Sequence, residues 1–303
     1  MEQIHKIFDF ILLSFIHIWP YLLISIPLAV GMKFSGVSGY INKSLGKNIY
    51  LSIIFATLVG AVSPFCSCGV IPVVATLLIG GIPLAPVMSF WIASPSMDPE
   101  IFFLSVATIG WKLSVWRLAA TLIISLSAGL IAHYAMKKGY LGESILKSYN
   151  VCSTCAGSCL CPETQTKKDI AKKLFKETWG AISMVASFMA IAFFINAIIE
   201  FYVPKNFFAG YIGNDSPFAV VIAALVGIPV YTSNLTSLPL VGGLLTAGMN
   251  PGAVLSFLIA GPVTTIPAMA AVWGIVKPKI FALYIFISLF GAILFGFLYN
   301  FMN

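Results

Sequence analysis

Residues Met88–Pro95 read M-S-F-W-I-A-S-P, and 167 positions later Leu255–Pro262 read L-S-F-L-I-A-G-P. The shared string S-F-x-I-A-x-P is the centre of a longer match. At the same offset Gly60 falls on Gly227, Pro72 on Pro239, Leu77-Leu78 on Leu244-Leu245 and Gly81 on Gly248. From 60 to 95 that makes 12 identities in 36 positions with no gap. Apolar helices share Leu, Ile, Ala and Phe by chance. Chance does not easily align two prolines, two glycines and this string, so the chain reads as a duplication.

What surrounds the string is almost uncharged. The 303 residues are 59% hydrophobic and 9% charged, against about 25% charged in a soluble domain. The charges are also concentrated: Lys137–Glu177 holds eight lysines and four acids, leaving fifteen charges for the other 262 residues. A chain this apolar needs the bilayer as its solvent, and helices are how a single chain of this pattern satisfies its backbone there. At about 20 residues per span, roughly eight to ten membrane segments are expected. The fold class is all-α: a polytopic helical membrane protein. Its first transmembrane repeat is expected at 1–136, a Cys/Lys-rich loop at 137–176, and a second repeat at 177–303. Apolar stretches fall at 8–31, 48–63, 100–110, 112–136, 177–203, 216–230, 267–276 and 279–301. The first is too long for a signal-peptide core and has no A-x-A cleavage pattern. A net charge of +7 comes from lysines beside apolar spans, which mark topology rather than nucleic-acid binding.

Between the spans, each half is interrupted at matching places. The first breaks are S-P-F-C-S-C-G-V-I-P (Ser63–Pro72) and I-P-V-Y-T-S-N-L-T-S-L-P (Ile228–Pro239); the second centre on Pro95 and Pro262. Pro64, Pro72, Pro95, Pro229, Pro239 and Pro262 are the candidate backbone breaks. Unwound backbone at membrane depth is tolerated only where protein buries it or a wet cavity faces it. Paired breaks in two repeats are the pattern by which secondary transporters build a midplane substrate site. Proline kinks of a purely structural kind are the competing reading. The eight lysines place the central loop in the cytoplasm. The turn with Lys33, Lys43 and Lys47 has no acid, whereas its counterpart sets Lys205 against Glu200 and Asp215. That asymmetry predicts inverted repeats, with Lys112 and Arg117 near the outer face.

The chemistry sits with the cysteines. Cys66, Ser67 and Cys68 lie in the first break, where two thiols can converge on one soft ion; buried cysteine as a small hydrophobe is the alternative. The repeat places Tyr231, Thr232, Ser233 and Asn234 opposite them, with Ser233 matching Cys66. The cavity is therefore expected to be lopsided, sulfur on one side and oxygen on the other. In the central loop Cys152, Cys155, Cys159 and Cys161 follow the spacing C-x2-C-x3-C-x-C. Four thiolates so close can enclose Zn or Cu(I); a disulfide or S-acylation are the other readings. Asp98 can carry a coupling proton or cap the helix from Pro99. His17 can relay protons or merely pack. No phosphate loop G-x-x-x-x-G-K-[ST], H-E-x-x-H or Ser/His/Asp arrangement is present. The chain is read as a non-enzyme with no ATPase motif and no tightly bound cofactor, a transported ion aside.

P-F-C-S-C-G-V-I-P (Pro64–Pro72) followed by G-I-P-L-A-P-V-M-S-F-W-I-A-S-P (Gly81–Pro95) resembles the predicted-permease family that includes the ArsP organoarsenical efflux permeases. The loop cysteines make the chain most similar to a branch named as Cu/Zn efflux transporters. That resemblance implies efflux of a soft metal or metalloid, copper, zinc or a trivalent arsenical, across a prokaryotic inner membrane. Cys66 and Cys68 are the residues that match the family motif directly. The expected partners are the lipid bilayer, a small inorganic or organometallic substrate and a cytosolic metal chaperone, with no nucleic acid. Two alternatives stand beside it. One is a permease for an anionic or thiol-containing sulfur solute, using Ser67, Thr232 and Asn234 as donors. The other is a membrane thiol-redox enzyme cycling Cys66 and Cys68.

Overall fold

Proline at the first helical position and glycine at left-handed turns divide the apolar stretches into helices. A computed structural model describes residues 48–63, 70–79, 81–96, 99–140, 218–230, 237–238, 241–243, 245 and 248–302. The stretches at 8–31 and 177–203 and nearly all of the central loop lie outside the described residues. Nine helices are described: α1 (Ile49–Val62), α2 (Val70–Ile79), α3 (Leu84–Ala93), α4 (Pro99–Ile109), α5 (Trp111–Lys137), α6 (Ala219–Val230), α7 (Pro251–Val263), α8 (Ile266–Ile275) and α9 (Pro278–Met302). Among the described residues there is no strand. Pro99, Pro251 and Pro278 each open a helix, where the missing N–H is no loss.

Helices α5 and α9, 27 and 25 residues long, are long and apolar enough to cross a membrane. At 1.5 Å per residue each spans about 40 Å. Helices α7 and α8 together pass as a third span, bent by 45°. The bend follows from sequence. Pro262 removes one N–H inside the last turn of α7, the helix ends at Val263, and α8 restarts with a proline in its first turn.

The 167-residue offset is visible in the helices themselves. Helices α3, α4 and α5 start at 84, 99 and 111, and α7, α8 and α9 start at 251, 266 and 278. Gly81 and Gly248, before α3 and α7, both hold positive φ, 81° and 94°, which a Cβ would oppose. Packing repeats too. Helix α5 crosses α3 at Gly129, where a Cβ would meet Ser89, Ile53 and the Ala85 carbonyl. Helix α9 crosses α7 at Gly296, where it would meet Ser256, Val220 and the Gly252 carbonyl, each 167 residues on. Small residues that let backbones approach are how membrane helices associate without a hydrophobic drive between them.

Every residue of α3, and every residue of α7 after Pro251, is buried. They form the centre, with α1 and α5 packed on the first and α6 and α9 on the second. The outward sides are as apolar as the core: Leu51, Phe55, Leu58 and Val62 on α1, and Phe286, Phe290, Leu294 and Phe297 on α9, are exposed. In water that would be an aggregation surface; in a bilayer it is the solvated one.

A helix N-terminus leaves unpaired N–H groups, and the halves solve this differently. In α7 the Asn250 side chain accepts from Gly252 and Ala253, and the Asn300 side chain of α9 accepts from Gly252 at 2.9 Å. In α3, Pro86 in the first turn has no N–H to satisfy.

Candidate functional site

The C-terminal ends of α3 and α7 border a narrow crevice lined by Ile92, Ser96, Thr121, Ile124, Ile259, Val263 and Ser288. The lining is paired. Ile259, Val263 and Ser288 stand 167 residues after Ile92, Ser96 and Thr121. Ile124 in turn lies against Gly291, its own counterpart, where a Cβ would come within 2.7 Å of the isoleucine side chain. Contacts between equivalent positions are what a local two-fold relation produces. The crevice therefore lies where the two halves meet on equal terms. Its walls leave no room for a water-sized sphere, so admitting a solute requires the helix ends to separate.

The unwound helix ends are held by matching hydrogen bonds made with different chemistry. Arg117 Nη2 on α5 donates to the Ser96 carbonyl at 3.2 Å. Tyr284 Oη on α9, 167 residues later, donates to the Val263 carbonyl. Each secures an end carbonyl that the broken helix leaves unpaired. Arg117 is wholly buried, and an ion taken into such a place loses several kcal/mol of hydration. Tyr284 also reaches across: its ring stacks on Trp91 of α3 with centroids 4.5 Å apart and planes inclined by 17°.

Hydroxyl groups finish the crevice. Ser96 Oγ donates to the Ile92 carbonyl at 3.0 Å, and Ser288 Oγ to the Tyr284 carbonyl at 2.8 Å. Thr121, the counterpart of Ser288, is buried but its Oγ1 has no hydrogen-bond partner among the described residues. Ser256 and Thr265 share that condition, but neither lines the crevice. A little further out, Ser105 and Ser114 pair at 2.8 Å between α4 and α5, and Ser125 donates to the Ser89 carbonyl at 2.5 Å.

Of the residues singled out in the sequence, Pro95 and Pro262 immediately precede the crevice residues Ser96 and Val263. Pro72 is the third residue of α2 and Pro229 the penultimate residue of α6. Cys66, Ser67, Cys68, Tyr231, Thr232, Ser233, Asn234, Cys152, Cys155, Cys159, Cys161, Pro64, Pro239, Asp98 and His17 lie outside the described residues. Among the described residues no group of three His, Cys, Asp or Glu side chains could hold a metal ion. Arg117 lies wholly buried beside the crevice. The signal that marks it is an ionisable residue six positions into a 27-residue apolar helix.

Comparison with known proteins agrees with this architecture. A family model described as "Predicted permease", the ArsP family, matches residues 3–301. A UPF0718 protein of Methanocaldococcus jannaschii is 23% identical over 83% of this chain and 85% of its own. The UPF0718 protein YcgR of Bacillus subtilis is 24% identical over 87% and 85%. A Streptococcus mutans protein, 23% identical over 86% and 83%, is named as a subunit of a two-component membrane permease complex. No solved structure gives a significant match. Bilayer-length apolar helices, paired interruptions and a family match over nearly the whole chain lead to one conclusion: this is an integral membrane protein that belongs to the ArsP predicted-permease family.

Proposed function

We propose that the protein exports a soft metal or metalloid, copper, zinc or a trivalent arsenical, by alternating access between its two halves. The observation that carries the transport cycle is the paired lining of the crevice, Ile92 with Ile259, Ser96 with Val263 and Thr121 with Ser288. Two equivalent walls with a tight seam between them can open to one side or the other by rocking of the halves. Inverted repeats make those two openings face opposite sides of the membrane. The substrate class rests on the thiols. Cys152, Cys155, Cys159 and Cys161 collect the ion in the reducing cytosol and hand it to Cys66 and Cys68, since thiolates select such ions over hard cations. The cycle runs on a proton or the membrane potential, with Asp98 and His17 as the groups able to carry the proton. The membrane is a prokaryotic inner membrane with the central loop in the cytoplasm. The Streptococcus mutans relative's name supports a second subunit as a partner.

Cell-associated copper, zinc and arsenic, measured by mass spectrometry after challenge in a sensitive host, test the reading. One element should fall when the protein is present and recover in the Cys66→Ser/Cys68→Ser variant. No change in any element, with the protein confirmed in the membrane, would refute it.

A further inference from the structure

Helices α5 and α9 run antiparallel where they cross. Ile124 meets Gly291 at the middle of the crossing. Eight residues earlier on α5, Trp116 packs edge-on against Tyr299, eight residues later on α9, with ring centroids 5.8 Å apart. The start of each helix therefore lies toward the end of the other. Arg117 stands seven residues before Ile124, and Tyr284 seven residues before Gly291. At 1.5 Å per residue each is about 10 Å from the Ile124–Gly291 contact, on opposite sides of it.

The crevice lies between these two levels. Thr121, one turn after Arg117, and Ser288, one turn after Tyr284, both line it. On the Tyr284 side the halves are joined ring to ring. Trp91 of the first half stacks on Tyr284 of the second, and both side chains are fully buried. The equivalent positions with the halves exchanged are Leu258 and Arg117, an aliphatic chain and a guanidinium. These cannot form a stack of two aromatic rings, so at these positions the aromatic closure exists on one side only. Each ring is also fixed to its own half, Trp91 within the buried helix α3 and Tyr284 by its bond to the Val263 carbonyl. Halves that rock apart at this level must pull the stack open.

We propose that the Trp91–Tyr284 stack is the cytoplasmic gate of the transport path, the contact that parts when the crevice opens toward the cytosol. This rests on the alternating-access reading above and names the residues of its inner closure. The side follows from the chain. Helix α5 ends at Lys137, where the lysine-rich central loop begins, and the start of α9, with Tyr284, lies toward that end.

Side-selective labelling of a reporter thiol tests this. Ser288→Cys in the full-length protein places a thiol in the crevice wall. A membrane-impermeant charged maleimide is applied to inside-out and to right-side-out vesicles. Peptide mass spectrometry reads the label at position 288, so the native cysteines do not interfere. Trp91→Leu, which copies the residue type of Leu258, should raise the labelling rate about tenfold from the cytoplasmic face, the factor an aromatic pair contributes. From the outer face the rate should not change. Tyr284→Phe keeps the rings together and should label as Ser288→Cys alone does. Leu258→Ala removes buried volume at the equivalent place in the other half and should not raise cytoplasmic labelling. Unchanged labelling in Trp91→Leu would overturn the proposal, as would a rise from both faces or an equal rise in Leu258→Ala or Tyr284→Phe. If Trp91→Leu fails to fold, Tyr284→Leu removes the other ring and decides. Labelling asks nothing about the cargo. Unchanged labelling with metal export intact would remove the gate alone, and the expected labelling without metal export would remove the thiol-based reading alone.

Discussion

Adding one methyl group to Gly296 probes the crossing of α9 over α7. A Cβ there would lie 2.6 Å from Val220 Cγ1, 2.8 Å from the Gly252 carbonyl oxygen and 3.0 Å from Ser256 Cβ. Ordinary contact begins near 3.4 Å, so the Gly252 backbone must retreat by about 0.6 Å to relieve its share of the clash. That carbonyl belongs to the first turn of α7, which Asn250 and Asn300 tie down, so it cannot yield alone. Overpacking of this kind costs about 1–3 kcal/mol. Helix propensity works the other way, since alanine is better than glycine by about 1 kcal/mol in a helix interior. Gly296→Ala should therefore be destabilising by up to about 2 kcal/mol net. Denaturant or thermal unfolding of the purified protein in a fixed detergent measures it. Val220→Ala in the same chain should recover only part of the loss, because the carbonyl clash remains. If Gly296→Ala were more stable than the wild type, as propensity alone would make it, the close crossing of α9 and α7 would be wrong. Gly129→Ala, its counterpart at Ser89 and Ala85, should behave alike.

The helix-end bonds and caps give further expectations. Tyr284→Phe keeps the stack on Trp91 but orphans the Val263 carbonyl, and should cost about 1–3 kcal/mol in unfolding experiments. Asn250→Ala and Asn300→Ala each leave the other side chain accepting from the Gly252 N–H, so each should cost no more than about 1 kcal/mol and the pair more than the sum. Gly81→Ala and Gly248→Ala should each lose about 1–2 kcal/mol from the positive φ they hold; no open-space clash adds to it, so the two values should be similar. Ser105→Ala should be nearly silent, because Ser114 Oγ still donates to the Gly110 carbonyl at 2.8 Å.

Much of the fold was legible because the bilayer leaves little choice. The stretches expected at 48–63, 100–110, 112–136, 216–230, 267–276 and 279–301 are helices at 49–62, 99–109, 111–137, 219–230, 266–275 and 278–302. Prolines and glycines marked their ends because those residues act on the backbone directly. The offset was legible where identity carried it, as at Gly81 and Gly248. It was illegible where the halves keep a role but change the side chain. Arg117 and Tyr284 share no size, charge or shape, only a donor placed at a helix end, and that equivalence appears once both carbonyls are located. The empty hand of Thr121 was hidden for a related reason. Whether a hydroxyl folds back on its own helix depends on χ1, about which the letter T says nothing. The cysteine-bearing break is the opposite case, since its chemistry is written in the residue type.

The contact of Ile124 with Gly291 has a genealogical consequence. A side chain at the point where two like halves touch faces its own copy, so in a self-paired ancestor one residue type would have to serve twice. Two isoleucines there would collide and two glycines would leave a hole. Fusion into a single chain lifts that constraint: one copy can grow while the other shrinks, as a bump takes a notch. The same freedom lets Arg117 carry a charge that its tyrosine twin need not balance. Forcing the halves back to sameness, by Gly291→Ile or by Tyr284→Arg, should thus harm the molecule at the very seam where a symmetric parent would have had to tolerate it.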